Sequence, residues 1–187
     1  MRILFFDTES TGLLDRRAGP ESPTQPHLVQ LGAILTDGKG REIDVPLSAI
    51  VKPNGWKIPA DAVRVHGIST KTASARGVKL HQVIDRFDLL AKRAQLLVAH
   101  NLAFDLAIMT AAYARAGLAH PFDGKDTYCT MKAATDICKL PGRYGYKWPT
   151  LTEAVYHFFK EHFVDAHDAL KDVRACSRVY FSLPRRA

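Results

Sequence analysis

Short apolar runs alternate along this chain with segments whose apolar positions recur every three or four residues. Arg2–Phe6 is a run of β-formers and predicts a buried strand, and Leu28–Thr36 reads the same way. Glu42–Lys52 predicts a rougher third strand, because Pro46 cannot donate a ladder hydrogen bond at its centre. Lys79–Ala94 carries Leu80, Val83, Ile84, Phe87 and Leu90/Ala91 at helical spacing. Gln95–Ala99 predicts a strand leading into a helix from Asn101 to Ala116. Lys125–Cys129 predicts a last strand, followed by a helix to about Lys139. Two more helices are expected over Thr150–Lys160, capped by Thr150 or Thr152, and over Ala166–Leu183. Leu14–Pro26 and Lys139–Pro149 are rich in Pro and Gly and read as loops. Strands in a row, then strand and helix in alternation, imply an α/β sheet with a partly antiparallel edge.

Composition narrows the class. The chain has 187 residues, 47% hydrophobic and 24% charged, which excludes wholesale disorder and suits one domain over 1–187. No apolar run approaches a membrane span, so no membrane association is expected. Asp7 and Glu9 interrupt the first apolar run, unlike a signal peptide. Cys129, Cys138 and Cys176 make no paired framework and no CxxC, which favours a reducing, cytoplasmic setting. Lys plus Arg number 26 against 19 Asp plus Glu, a formal +7, and the excess is spread along the chain. That balance suits a polyanionic partner.

Carboxylates stand where core residues belong. Asp7 and Glu9 lie two apart at the end of the first strand, so alternation points both to one face. They either end the strand in water or share a cation that relieves their repulsion. In the helix from Asn101, Asp105 sits beside the stripe Leu102, Ile108/Met109, Ala112 and Ala116. Its place in the first turn also fits a favourable interaction with the helix dipole. In the last helix, Asp172 borders the stripe Ala169, Val173, Cys176, Tyr180 and Leu183, where an acid needs a partner. Asp165, Asp168 and Lys171 lack that placement and are expected to face solvent. His167 precedes Asp172 by five residues, near one end of that helix. His66, His81, His100, His157 and His162 are too scattered for a zinc pattern. Oxygen ligands favour Mg2+ or Mn2+, and several carboxylates with a base suit two-ion phosphodiester hydrolysis.

At these residues the chain resembles a known family. FFDTESTGL (Phe5–Leu13), AHNLAFDLAIM (Ala99–Met109) and AHDALKDVRA (Ala166–Ala175) resemble, in order and spacing, the three motifs of the DnaQ-like, DEDDh group of 3′–5′ exonucleases. VHGIST (Val65–Thr70) resembles the family's HGI segment. Leu28–Leu35 resembles its second strand, with Gln30 where many members carry Glu. The resemblance implies a ribonuclease H-like three-layer fold, a five-stranded mixed sheet flanked by helices. It implies that Asp7, Glu9, Asp105 and Asp172 hold two Mg2+ or Mn2+ ions. Asp7 would bridge both ions, Glu9 and Asp172 would complete one site, and Asp105 the other. His167 would be the general base, and an imidazole titrates near neutral pH as that role requires.

The resemblance also makes Thr8, Leu13, His66, Asn101 and Phe104 candidates for holding the terminal nucleotide. Phe104 and Leu13 could stack on or wedge between bases, or simply pack. Lys139–Trp148, KLPGRYGYKW, interleaves cations with aromatic rings and contains no acid, a composition that suits single strands and equally suits a solvated loop whose Trp148 packs on the following helix. Arg16 and Arg17 could touch phosphates or face water. The implied activity is removal of nucleoside 5′-monophosphates from 3′ ends, with single-stranded DNA favoured over RNA because DTESTGL is closer to the polymerase-proofreading branch than to oligoribonucleases. An exoribonuclease and a non-catalytic nucleic-acid-binding module are the alternatives. With no extension after Ala187, a stand-alone nuclease in repair or degradation is expected rather than a polymerase-tethered one.

Overall fold

The structure, a computed structural model, describes residues 1–163 and 167–184. Five strands form one sheet in the order β3-β2-β1-β4-β5. β1 (Arg2–Ser10) and β2 (Leu28–Asp37) run antiparallel, as do β2 and β3 (Leu47–Ile50). β4 (Leu96–Ala99) and β5 (Asp126–Cys129) join parallel on the other side of β1. This is the mixed sheet with an antiparallel edge that the sequence predicts.

The side-chain period of β1 divides its residues between two cores. Leu4 and Phe6 face one core, shared with Val83, Ile84 and Phe87 of α3 (Leu80–Ala91) and with Ile108 and Met109 of α4 (Leu102–Ala116). Ile3 and Phe5 face the opposite core, shared with Val173 and Cys176 of α7 (Ala169–Ser182). Helices α5 (Thr130–Cys138) and α6 (Leu151–Phe159) pack on the outer side of α7 through Ala134, Ala154, Val155 and Val179. Among the described residues no helix is long and apolar enough to cross a membrane, and all three cysteines are free.

Three expectations are corrected. The third strand spans only Leu47–Ile50, because the chain before Pro46 pairs just once, through Thr36 and Glu42. Two short helices, α1 (Ala60–His66) and α2 (Thr70–Arg76), flank the HGI segment, which the sequence left without elements. Lys139–Pro149 is no plain loop: β6 (Pro141–Gly142) and β7 (Gly145–Tyr146) pair as a small hairpin. The last helix begins at Ala169; its expected start, Ala166, and Asp165 lie outside the described residues. Of the two proposed caps of α6, Thr150 is the one used, accepting from Glu153 N.

Candidate active site

Strand alternation builds the site. Asp7 and Glu9 continue the Ile3/Phe5 face of β1, and so point toward α7. Thr8 continues the Leu4/Phe6 face, and so points toward α4. Asp172, in the first turn of α7, is buried on the side of the two β1 acids. Asp105, in the first turn of α4, is 3% exposed. Thr8 holds it from the sheet: Thr8 N and Thr8 Oγ1 both donate to Asp105 Oδ1, at 3.0 and 2.8 Å.

A close approach seats α7. Gly32 lies beside Asp7 on β2, and a Cβ there would meet the Ala169 carbonyl carbon and oxygen at 2.4 Å. Gln30, the cross-strand partner of Glu9, accepts from Ala169 N through Oε1 at 3.3 Å. The amide in place of a carboxylate therefore keeps a further negative charge away from Glu9. Asp168, expected in solvent, instead caps α7, accepting from Leu170 N and Lys171 N at 3.1 and 3.2 Å.

His167 N donates to Asp172 Oδ2 at 2.9 Å, and His167 Nδ1 lies 3.9 Å from Glu9 Oε1. Both His167 and Asn101 adopt φ of +76°, a conformation that costs energy in residues other than glycine and gathers at functional sites. Asn101 is spared most of that cost by its short polar side chain.

The four acids, with Thr8, His100, Asn101, Phe104, Leu151 and His167, line a cleft of roughly 200 Å³. Burial, followed by the charges of Asp105, Asp172 and Glu9, raises the Asp7 carboxyl well above its usual range. Burial pushes Glu9 up to about 8, with Asp172 and Asp105 adding to the shift. Burial raises Asp105 to about 7 against the two Thr8 hydrogen bonds. It raises Asp172 to about 6 against the His167 N–H. Such a cluster is poorly solvated as anions and asks for a cation. Among the described residues Asp172 Oδ1 is buried with no hydrogen-bond partner, and Glu9, His167 and Asp172 each offer a ligand atom within 4.8 Å of the others. The residues fit a hard divalent ion, and the described chain has an acidic group able to hold a metal.

The other expected contacts divide. Asn101 and Phe104 line the cleft, Asn101 exposed and Phe104 half-buried against the α4 core. Thr8 lines it too, but its hydroxyl donates to Asp105, which makes it first a positioning residue. Leu13 is 89% exposed and does not line the cleft. His66 is buried beside it: Nδ1 accepts from Ile68 N, and its proton affinity is lowered by burial, with the Ser10 carbonyl opposing and His167 adding. His100, dismissed as scattered, belongs to the site. Its Nε2 lies 2.9 Å from the Pro149 carbonyl and its Nδ1 3.0 Å from Thr130 Oγ1. Its position between Ala99 and Asn101, inside the second motif, was the available signal.

Fold and site together define a nuclease-type carboxylate cleft at the end of a mixed sheet. The profile of the RNase T exonuclease family matches residues 4–180, and the chain belongs to this family, the DnaQ-like group of 3′–5′ exonucleases. No curated protein sequence matches the chain. Exonuclease I of Methylocaldum szegediense is similar at TM-score 0.76 and 22% identity, over 97% of this chain and 40% of that one. Escherichia coli exonuclease I in complex with a dA16 oligonucleotide gives 0.74 at 20% identity, over 97% and 40%. Its zinc-bound complex with single-stranded DNA gives 0.71 at 22%, over 96% and 39%. The chain therefore spans about two fifths of the exonuclease I structures it matches. At these identities the likeness is one of fold, the ribonuclease H-like α/β sheet.

Proposed function

We propose that this protein is a metal-dependent 3′–5′ exonuclease acting on single-stranded DNA, with residues 1–187 as one catalytic domain. The observation that carries the proposal is the convergence of four carboxylates from β1, α4 and α7 on one cleft, all raised by burial. Asp7, Glu9, Asp105 and Asp172 would hold two Mg2+ or Mn2+ ions, which supply charge stabilisation for a phosphoryl centre and acidify water. His167 takes a proton from the attacking water; its exposed ring can reach solvent while its backbone stays tied to Asp172. Thr8 fixes the carboxylate of Asp105. Asn101 and Phe104, which line the cleft, receive the terminal nucleotide, Asn101 by hydrogen bonding and Phe104 by apolar contact with a base; Leu13, exposed outside the cleft, is left to a neighbouring base. The single-stranded DNA in the exonuclease I complexes supports that choice of substrate.

A gel assay tests the proposal. Single-stranded DNA, duplex DNA and RNA, each 5′-labelled, are offered with Mg2+ or Mn2+, with EDTA and with blocked 3′ ends. We expect stepwise shortening of single-stranded DNA from free 3′ ends, release of 5′-monophosphates, and none of it in EDTA. Asp7→Asn should abolish shortening, and His167→Ala should slow it on the order of a hundredfold, the usual scale for a general base. Cleavage that persists in EDTA would overturn the metal requirement. Faster shortening of RNA would overturn the choice of DNA.

A further inference from the structure

The hairpin beside the cleft is not used by the chemistry above. Residues 141–148 are exposed without interruption, including Tyr144 at 89%, Tyr146 at 52% and Trp148 at 62%. Three aromatic side chains at alternate positions in water gather apolar surface of the kind that marks an interaction site. The segment is also built rather than loose. Pro141 pairs with Tyr146 and Gly142 with Gly145, so Arg143 and Tyr144 form a two-residue tip. Gly145 has φ of +120°, and a Cβ at Gly142 would meet Gly145 O and Lys147 N at 3.0 Å. Lys147 N donates to Leu140 O at 3.0 Å, which extends the ladder beyond the strands.

Its base is fixed to the cleft. Pro149 is buried, and its carbonyl accepts from His100 Nε2, a ring that lines the cleft. Because a carbonyl only accepts, Nε2 carries the proton and Nδ1 is left to face Thr130. Two residues on, Leu151 lines the cleft directly. The hairpin that carries the rings is therefore anchored at its base to residues that line the cleft. Lys139, Arg143 and Lys147 are interleaved with them, and residues 139–149 contain no acid. Arg143 lies over the Tyr144 ring at 5.2 Å, and Lys147 pairs with Glu153.

The geometry points to this hairpin as a stacking platform for the single strand behind the scissile nucleotide, with bases on Tyr144, Tyr146 and Trp148 and phosphates near Lys139 and Arg143. This rests on the exonuclease reading and adds to it a binding site for the upstream strand. Rings accept any base, so the platform holds a strand as it shortens without reading sequence.

Binding and turnover test it separately. The affinity of a fluorescent twelve-residue oligothymidylate is read by anisotropy in EDTA. The ratio of kcat/KM for that strand to kcat/KM for a thymidylyl dinucleotide is read in Mg2+. Tyr144→Ala and Tyr146→Ala should each weaken binding about fivefold or more, the low end for one stacked base, and lower the ratio similarly. In a Trp56→Phe protein the oligothymidylate should quench the remaining Trp148 emission. Affinity and ratio both within about twofold of the parent would overturn the platform, as would a hairpin that takes up a protein partner while strand binding is unaltered. If the parent cleaves neither substrate, the exonuclease reading fails, and anisotropy and quenching still decide the platform.

Discussion

Each acid in the cleft is held where its charged form is disfavoured. Glu9 sits at about 8 and Asp105 at about 7, against ordinary values of 4.5 and 3.8. A folded-state pKa above the unfolded one means that folding favours the protonated form. That contribution is complete below the unfolded pKa and is lost as pH rises through the folded pKa. The metal-free protein should therefore lose stability between pH 6.5 and 8.5. Below that window half-buried His27, lowered to about 4 by desolvation and by Arg115, acts in the opposite direction. Its neutral form is favoured by folding, and it destabilises as pH falls below 6.5. We expect the Tm in EDTA to fall by about 5 °C or more from pH 6.5 to 8.5, where 1 kcal/mol moves a chain of this size about 2–4 °C. Saturating Mg2+ should remove most of the fall, since a bound cation favours the ionised acids. Thermal unfolding across that range, with and without Mg2+, checks both. A Tm in EDTA that is level or rising would mean that the four acids are better solvated than their burial implies.

Helix α7 carries Asp172 and follows His167, so its seating on the sheet governs two site residues at once. It can lie so close only because Gly32 has no side chain: a methyl there would sit 2.4 Å from Ala169 backbone atoms and 2.6 Å from Leu170 N. Gly32→Ala should push the helix start away from β2. We expect kcat to fall about tenfold or more, with a destabilisation of about 1–3 kcal/mol, the usual scale for overpacking. Circular dichroism should still show a folded protein. Parent-like kcat in that variant would show that the helix can shift without moving Asp172. The elements that carry the acids were legible beforehand, β1 as an apolar run and α7 as a clear stripe, while α4, apolar on most of its surface, showed only a broad one. The carboxylates stood out as breaks in those same patterns. Helices α1 and α2 were not legible. Each has seven residues, and they bury only Ala62, His66 and Ala73, too few positions for a period to show. The hairpin was hidden by the Pro and Gly content that shapes it. The roles of Gly32 and Thr8 were hidden for another reason: each depends on a residue more than ninety positions away.

Charge separates the molecule into two parts. The formal balance is +7, from 26 basic and 19 acidic residues; setting aside the four cleft acids leaves 26 − 15 = +11 on the remainder. Two divalent ions would cancel the cleft acids, so the loaded protein presents about that excess to a polyanion. On the proposed function, an approaching strand would meet a broad cationic surface, while the reacting phosphate would meet a small site whose charge is set by metal. These two interactions respond differently to salt. Neutralising a phosphate of a single strand releases counterions, with a slope of about −0.7 in log affinity against log salt per contact. For the twelve-residue oligothymidylate we expect log kcat/KM to fall with log KCl at a slope of about −2 or steeper, equivalent to about three phosphate contacts. The dinucleotide offers one phosphodiester and should show a slope shallower than about −1 by the same relation. Arg143→Ala should flatten the long-substrate slope by about 0.7 if its guanidinium faces a phosphate. Steady-state rates from 50 to 400 mM KCl at constant Mg2+ measure all three. Equal slopes for the two substrates would place the whole ionic interaction inside the metal cleft, and the excess on the outer surface would then have no part in holding the strand.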